Sequence, residues 1–474
     1  MISSKSSSTK SGFCFSFLFT FFVLLGQVAF SEALHGPNVN PSNLAVLVEW
    51  EKFTGQQAGI IGDNFSADSW EVFQEASSYR EKNPKGAIAE QLRRWGQAFD
   101  GNGVLESSEG STPYQGSPRG ALSDYVLELA IPIFPSRLAN EDGELVDSST
   151  VPDRWGMGAE GSRHYQDARR AFRSLATALV DNGMKDARLR LGWEFSGDWF
   201  PWGIDPNGGA RAGTPEQFKA CWKFVYLTME EVNPRFTWVW SSHTGYDHFD
   251  PSAAFPEYPK DSFSDAEDQK DKTLVDFVSV DVYDADGDCY FRPDDPSKDN
   301  YELIPGYWNH HPKELQDAYT HFAQKIFEGK GHHAAEGESA IYGLRFFKNL
   351  ADEKRLPFVL SEWGPWANWI PVRGSKTGKM LRSIAFGGDD NPLFIDGLFK
   401  WVTENEVNAA VLFEFYDGGA GDRVDHTLLP RFWNTPQEGR PRVSLYPENS
   451  PYFQIKDQLH PRAAEAYLRN LKGN

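Results

Sequence analysis

Cysteine is scarce, with three in 474 residues: Cys14, Cys221 and Cys289. That is too few for a disulfide framework, so the chain must be held by an ordinary hydrophobic core. Positive charge is also the minority sign. Lys and Arg number 47 against 67 Asp and Glu, a net charge of −20. Nucleic acid and anionic membrane surfaces demand basic patches, so neither is expected as a partner. Several reactive signatures are missing too. There is no Gly-rich phosphate loop after the first strand, no G-x-S-x-G and no H-E-x-x-H, which removes nucleotide-binding, nucleophile-elbow and zincin chemistry. His310-His311 and His332-His333 lack zinc-ligand spacing and read as surface residues. No metal and no cofactor is expected.

What is present begins at the N-terminus. Lys5 and Lys10 precede an uncharged apolar run, Gly12 to Phe30, and Ser31-Glu32-Ala33 follows as a small-residue cleavage site. This is the layout of a secretory signal peptide over residues 1–33, with a membrane anchor as the alternative reading. The expected product is secreted, extracellular or periplasmic, and free of the membrane once cleaved. Cys14 would leave with the signal. Cys221 and Cys289 then either pair or remain two buried thiols. Asn64-Phe65-Ser66 is one glycosylation sequon. No later apolar run, repeat or linker divides the chain, so residues 36–474 are expected to form one catalytic domain, working as a monomer.

Within that domain, short apolar strands alternate with amphipathic segments. The strands are expected at 44–50, 125–134, 187–194, 236–242, 275–283, 357–363 and 408–416, with an eighth hidden between 55 and 100. Helical spacing marks 163–183, 215–232 and 338–354. Strand–helix alternation implies a parallel sheet with crossover helices, and eight such units close into a (β/α)8 TIM barrel. In such barrels the chemistry sits at the C-terminal strand ends. Here those ends read Glu194-Phe195, Ser242-His243, Asp281-Val282-Tyr283, Glu362-Trp363 and Glu414-Phe415-Tyr416.

Alternate strand residues share a face, so Arg188, Arg190, Gly192 and Glu194 are expected to point inward while Leu189, Leu191 and Trp193 meet the helices. Glu362 is expected on the face of Phe358 and Leu360. Two carboxylates from opposite walls of one cleft suit glycoside hydrolysis, where one protonates the leaving oxygen and the other attacks the anomeric carbon or activates water. Trp193, Phe195 and Trp199 offer the acid an apolar setting that would keep its proton. Tyr283 is a hydrogen-bond donor for the nucleophile. Sixteen tryptophans are many for this length, and Trp199, Trp202, Trp363, Trp366 and Trp369 are candidate sugar-stacking platforms. His243 ends a strand where it could touch substrate, and Arg190 is an internal partner for Glu194.

These motifs resemble glycoside hydrolase family 26, a (β/α)8 family that includes endo-β-mannanases. R-L-G-W-E-F-S-G-D-W-F-P-W-G resembles its acid/base strand, V-D-F-V-S-V-D-V-Y-D its sixth strand and F-V-L-S-E-W-G its nucleophile strand. H-P-R-A-A-E-A-Y-L-R-N-L at 460–471 resembles its last helix. The resemblance implies a retaining double displacement with Glu194 as acid/base on strand four, Glu362 as nucleophile on strand seven and Tyr283 orienting it. Trp199 would match the family's aromatic near the cleaved bond; from their own positions Trp202, His243, Trp363, Trp366 and Arg190 are the other candidate substrate contacts. The implied partner is a polysaccharide or oligosaccharide, β-mannan first. Trp193 stands where the family's mannanases carry His, and Ser196 where related sequences often show Asn. Other β-glycans, or a non-catalytic polysaccharide-binding barrel, are therefore the alternatives. Asp284-Ala285-Asp286-Gly287-Asp288, with Asp294 and Asp295, resembles a calcium loop, but its glycine is two positions early, so it reads as a solvated mouth loop.

Overall fold

The structure is a computed structural model. It describes residues 33–39, 44–80, 87–99, 104–105, 114–115, 118–197, 199–205, 212–247, 249–257, 274–284, 326–331, 340–365, 367–373, 380–386, 391–413, 423–425, 428 and 461–473. Eight parallel strands close a barrel. They are β1 (Leu34–Asn38), β2 (Ile60–Asn64), β3 (Val126–Ile131), β4 (Arg188–Leu191), β5 (Thr237–His243), β6 (Phe277–Tyr283), β7 (Phe358–Gly364) and β8 (Ala409–Phe413). β8 pairs with β1 to complete the ring. Among the described residues, helices include α1 (Leu44–Thr54), α2 (Trp70–Gln74), α3 (Ala87–Phe99), α4 (Tyr165–Asp181), α5 (Pro215–Glu230), α6 (Leu344–Lys354), α7 (Pro392–Glu404) and α8 (Pro461–Leu471). Among the described residues no helix is long and apolar enough to cross a membrane.

The expected (β/α)8 barrel is present, with one element misplaced. Residues 44–50 form the first part of α1, and the opening strand lies ten residues earlier, at β1. LAVLVEW is a short apolar run, and periodicity alone does not separate a buried strand from a buried helix turn. Val46, Leu47 and Trp50 are buried, and Trp50 donates its indole N–H to the Tyr467 hydroxyl of α8 at 2.8 Å. The hidden strand falls at β2, inside the window expected for it.

The strand faces sort into two apolar bodies. Outward residues such as Leu189, Leu191, Val278, Val280 and Leu360 join the large core beneath the helices. Inward residues at the N-terminal end of the barrel, Ile60, Val239, Val359, Ala409 and Val411, form a separate cluster, against which Leu34, Val126 and Phe277 pack. Above this floor the barrel interior turns polar. Ser279 donates to Ser361 across β6 and β7, Glu128 and Arg188 are buried beside each other in register, and the C-terminal mouth is carboxylate-rich.

Candidate active site

Glu194 reaches the mouth by a route the strand pattern did not anticipate. β4 ends at Leu191, and the chain then turns. Gly192 takes φ +56°, and a Cβ there would meet Ile133 Cδ1 at 2.4 Å. Glu194 itself takes φ +49°, a left-handed conformation that costs a non-glycine residue about 1–2 kcal/mol. Its backbone N–H donates to the Ser241 carbonyl of β5 at 3.1 Å, which ties the turn to the neighbouring strand.

Glu362 is aimed by a different irregularity. β7 carries one extra residue relative to both neighbours: the pairing steps from Leu360 opposite Val280 to Glu362 opposite Asp281, and from Leu360 opposite Ala410 to Trp363 opposite Leu412. Val359 faces the interior floor, Ser361 bonds Ser279, and the bulge then brings Glu362 inward as well. The expectation that Glu362 shares a face with Phe358 and Leu360 is corrected: both of those pack outward, and a bulge re-aims the side chain after it.

One guanidinium organises the cluster. Arg190, 1% exposed, donates Nη1 to Glu362 Oε1 and Nη2 to Asp281 Oδ2, and Nε to Ser241 Oγ at 3.1 Å. Tyr283 donates its hydroxyl to the other Glu362 oxygen at 2.7 Å. Trp199 donates its indole N–H to Glu194 Oε2 at 2.8 Å. Carboxylate oxygens of Glu194, Asp281 and Glu362 lie within 4.8 Å of one another. Three carboxyls beside one guanidinium cannot all ionise cheaply. Burial, reinforced by the Glu362 charge, pushes Glu194 up to about 7, with Arg190 and the Trp199 hydrogen bond opposing. Burial also raises Asp281, although Arg190 pulls it the other way. Burial raises Tyr283, with Glu362 adding to the effect, so its hydroxyl keeps the proton it donates.

Of the other expected contacts, His243 and Trp199 sit together at the mouth. Trp199 is 54% exposed and meets His243 edge-on, with ring centroids 4.7 Å apart. His243 Nδ1 lies 2.7 Å from Ser196 Oγ, which also lies 2.7 Å from Ser242 Oγ. Burial lowers His243 to about 4, so the ring is neutral. Two tryptophans are core rather than platform. Trp202 is buried against Trp193 and Phe200 and spends its N–H on the Trp193 carbonyl at 2.7 Å. Trp363 is fully buried between Phe399 of α7 and Tyr467 of α8, outside the barrel. The bulge that turns Glu362 inward turns Trp363 outward.

Trp366, Glu414 and the 285–295 loop lie outside the described residues, as does Cys289. Cys221 is a free thiol, buried in α5. The residue that sequence reasoning passed over is Asp281. It lies two positions before Tyr283, on the same face of one strand, and that spacing could have found it.

The carboxylates cluster at the C-terminal mouth of a closed barrel, where such barrels carry their chemistry. Residues 174–288 match the model of glycosyl hydrolase family 26, so the family resemblance is shown from within α4 to just beyond β6, the part that carries Glu194, Asp281 and Tyr283. The match and the site together make the chain a glycoside hydrolase. No curated protein matches the chain. Solved structures of similar fold include the YdhT protein from Bacillus subtilis, 12% identical over 81% of this chain and 80% of that one, with a TM-score of 0.43. A family 26 β-mannanase from Bacteroides ovatus is 11% identical over 80% of each chain, with a TM-score of 0.41. An endo-β-1,4-mannanase double mutant from Cellulomonas fimi is 13% identical over 83% of this chain and 67% of that one, with a TM-score of 0.42.

Proposed function

We propose that the chain is a secreted, retaining endo-glycosidase that cleaves β-linked polysaccharide, with β-mannan as the first substrate. Glu194 protonates the leaving sugar oxygen and Glu362 attacks the anomeric carbon. Glu194 then takes a proton from the incoming water, which releases the covalent glycosyl-enzyme. The observation that carries this reading is the unequal treatment of the two carboxyls. Glu362 has donors on both oxygens, from Arg190 and Tyr283, the setting that holds a nucleophile charged and aimed. Glu194 holds its proton up to about 7, as a general acid must. The spacing supports retention: oxygens of the pair lie within 4.8 Å, whereas inversion needs about 6.5–9.5 Å to seat a water.

Trp199, with its exposed ring beside Glu194, is the residue on which a sugar face would pack. His243 lines the same wall. Secretion rests on the charged, apolar and small-residue layout of residues 1–33.

The test is reducing-end release from galactomannan, glucomannan, xylan, mixed-linkage glucan and 1,3-glucan, with wild type beside Glu194→Gln and Glu362→Ala. Activity on mannans that both substitutions abolish is the expected result. Activity that survives Glu362→Ala would remove the assigned nucleophile. Binding of a polymer without cleavage would make the chain a polysaccharide-binding barrel.

A further inference from the structure

Beneath the reacting carboxyls lies buried charge that the proposed reaction does not use. Glu128 of β3 is 2% exposed, and its Oε2 has no hydrogen-bond partner. Arg188 of β4 is 8% exposed. Its guanidinium lies 4.0 Å from the Phe277 ring centroid and donates Nη2 to Asn408 Oδ1 at 3.0 Å, while Nη1 has no partner. The register sets Glu128 opposite Arg188 and Ala130 opposite Arg190. Glu128 therefore stands one pleat below Arg190, and its charge acts on Arg188, Arg190 and Asp281. The charged groups facing this level are Arg188 and Arg190 from β4, Asp281 from β6 and Glu362 from β7. The adjoining inward positions, Ile60, Gly62, Val239, Ser241 and Val411, carry none.

A buried carboxylate with one oxygen left without a hydrogen-bond partner is costly, and an apolar side chain would fill the same place at lower cost. Its charge is what distinguishes it. We propose that Glu128 is a positioning residue for the catalytic proton: it offsets Arg188 and Arg190 from below, so that Arg190 holds Glu362 and Asp281 without stripping the proton from Glu194. This rests on the reading of Glu194 as the general acid.

The sign follows from Coulomb's law. Removing the negative charge of Glu128 makes the site more positive and releases the Glu194 proton at lower pH. Removing the positive charge of Arg188 does the opposite. The measurement is the carboxyl titration of Glu194 by carbon-13 NMR in glutamate-labelled protein, assigned by loss of the signal in Glu194→Gln. It is paired with the basic limb of kcat/KM on any polymer that is cleaved.

Glu128→Gln is expected to move the Glu194 titration down by about half a pH unit or more. Arg188→Met is expected to move it up, and the double variant to return it towards wild type. A residue that merely fills space would change the thermal midpoint and leave the titration where it was. No shift in folded Glu128→Gln, or shifts of one sign in both variants, overturns the proposal. If Glu128→Gln does not fold, the direction of the Arg188→Met shift decides. Because the titration needs no substrate, an inactive enzyme with opposite shifts would sink the proposed function and leave the positioning role standing.

Discussion

The two ends of the barrel interior are built on opposite rules. At the N-terminal end, Ile60, Val239, Val359, Ala409 and Val411 pack as a small apolar floor. At the C-terminal end, Arg190, Asp281, Glu362 and Glu194 crowd charge into a space where an apolar layer would be cheaper. The same strands supply both. What differs is the regularity of the backbone: pairing is regular through the floor, whereas β7 bulges and β4 turns through a left-handed glutamate at the mouth. The floor spends its residues on stability. The mouth spends conformational strain and desolvation to hold carboxyls in unequal states.

The mouth is most vulnerable at Glu362. Glu362→Ala is expected to lower turnover by a factor on the order of 10⁴ or more while the fold persists, measured by reducing-end release beside circular dichroism. Next comes the guanidinium. Arg190→Met leaves buried carboxylates without their partner and is expected to cost about 3–5 kcal/mol of stability. In the floor, Ile60→Ala is expected to cost about 2–5 kcal/mol by cavity formation alone. Urea denaturation distinguishes the two through pH. The Ile60 cost should be flat across pH, and the Arg190 cost should shrink in acid as the carboxyls protonate.

Glu194 itself should be a stability liability. Its folded value is raised from 4.5 to about 7, so the folded chain holds a proton that the unfolded chain releases. That contribution is complete below about 4.5 and is lost as pH rises to about 7. Glu194→Gln is therefore expected to gain on wild type above pH 7, by up to about 3 kcal/mol, while turnover collapses. Thermal midpoints at pH 5 and pH 8 would show the gap opening.

A smaller effect sharpens the picture. Trp199→Phe removes a donor that favours ionised Glu194. The basic limb of kcat/KM should move to higher pH, with a loss of roughly tenfold in rate. Smallest of all, Cys221 is buried, and that burial pushes its thiol up to about 12. It should resist maleimide in the native state and react only on unfolding.

Much of this was legible in the sequence, and the misses have physical causes. Strand–helix alternation predicted the barrel because each crossover leaves its own periodicity. The paired glutamates stood out because carboxylates beside indoles are rare at strand ends. LAVLVEW misled because six apolar residues in seven satisfy a strand and a buried helix alike. The Glu362 face and the Trp363 platform failed together, since one inserted residue in β7 inverts the alternation after it and leaves no mark on the pattern. Trp202 failed because an aromatic near a site does not declare which way it points. Asp281 was missed because it was read as part of a strand end and not as the second ligand of Arg190.

Glu194 and Glu362 divide the labour of acid and nucleophile, and azide rescue reads that division. In Glu194→Ala, on a dinitrophenyl β-glycoside of the sugar that wild type cleaves, whose leaving group departs without a proton, azide should restore turnover by attacking the glycosyl-enzyme on Glu362, and NMR should show a β-glycosyl azide. An α-glycosyl azide, or no rescue at any azide concentration, would contradict the account.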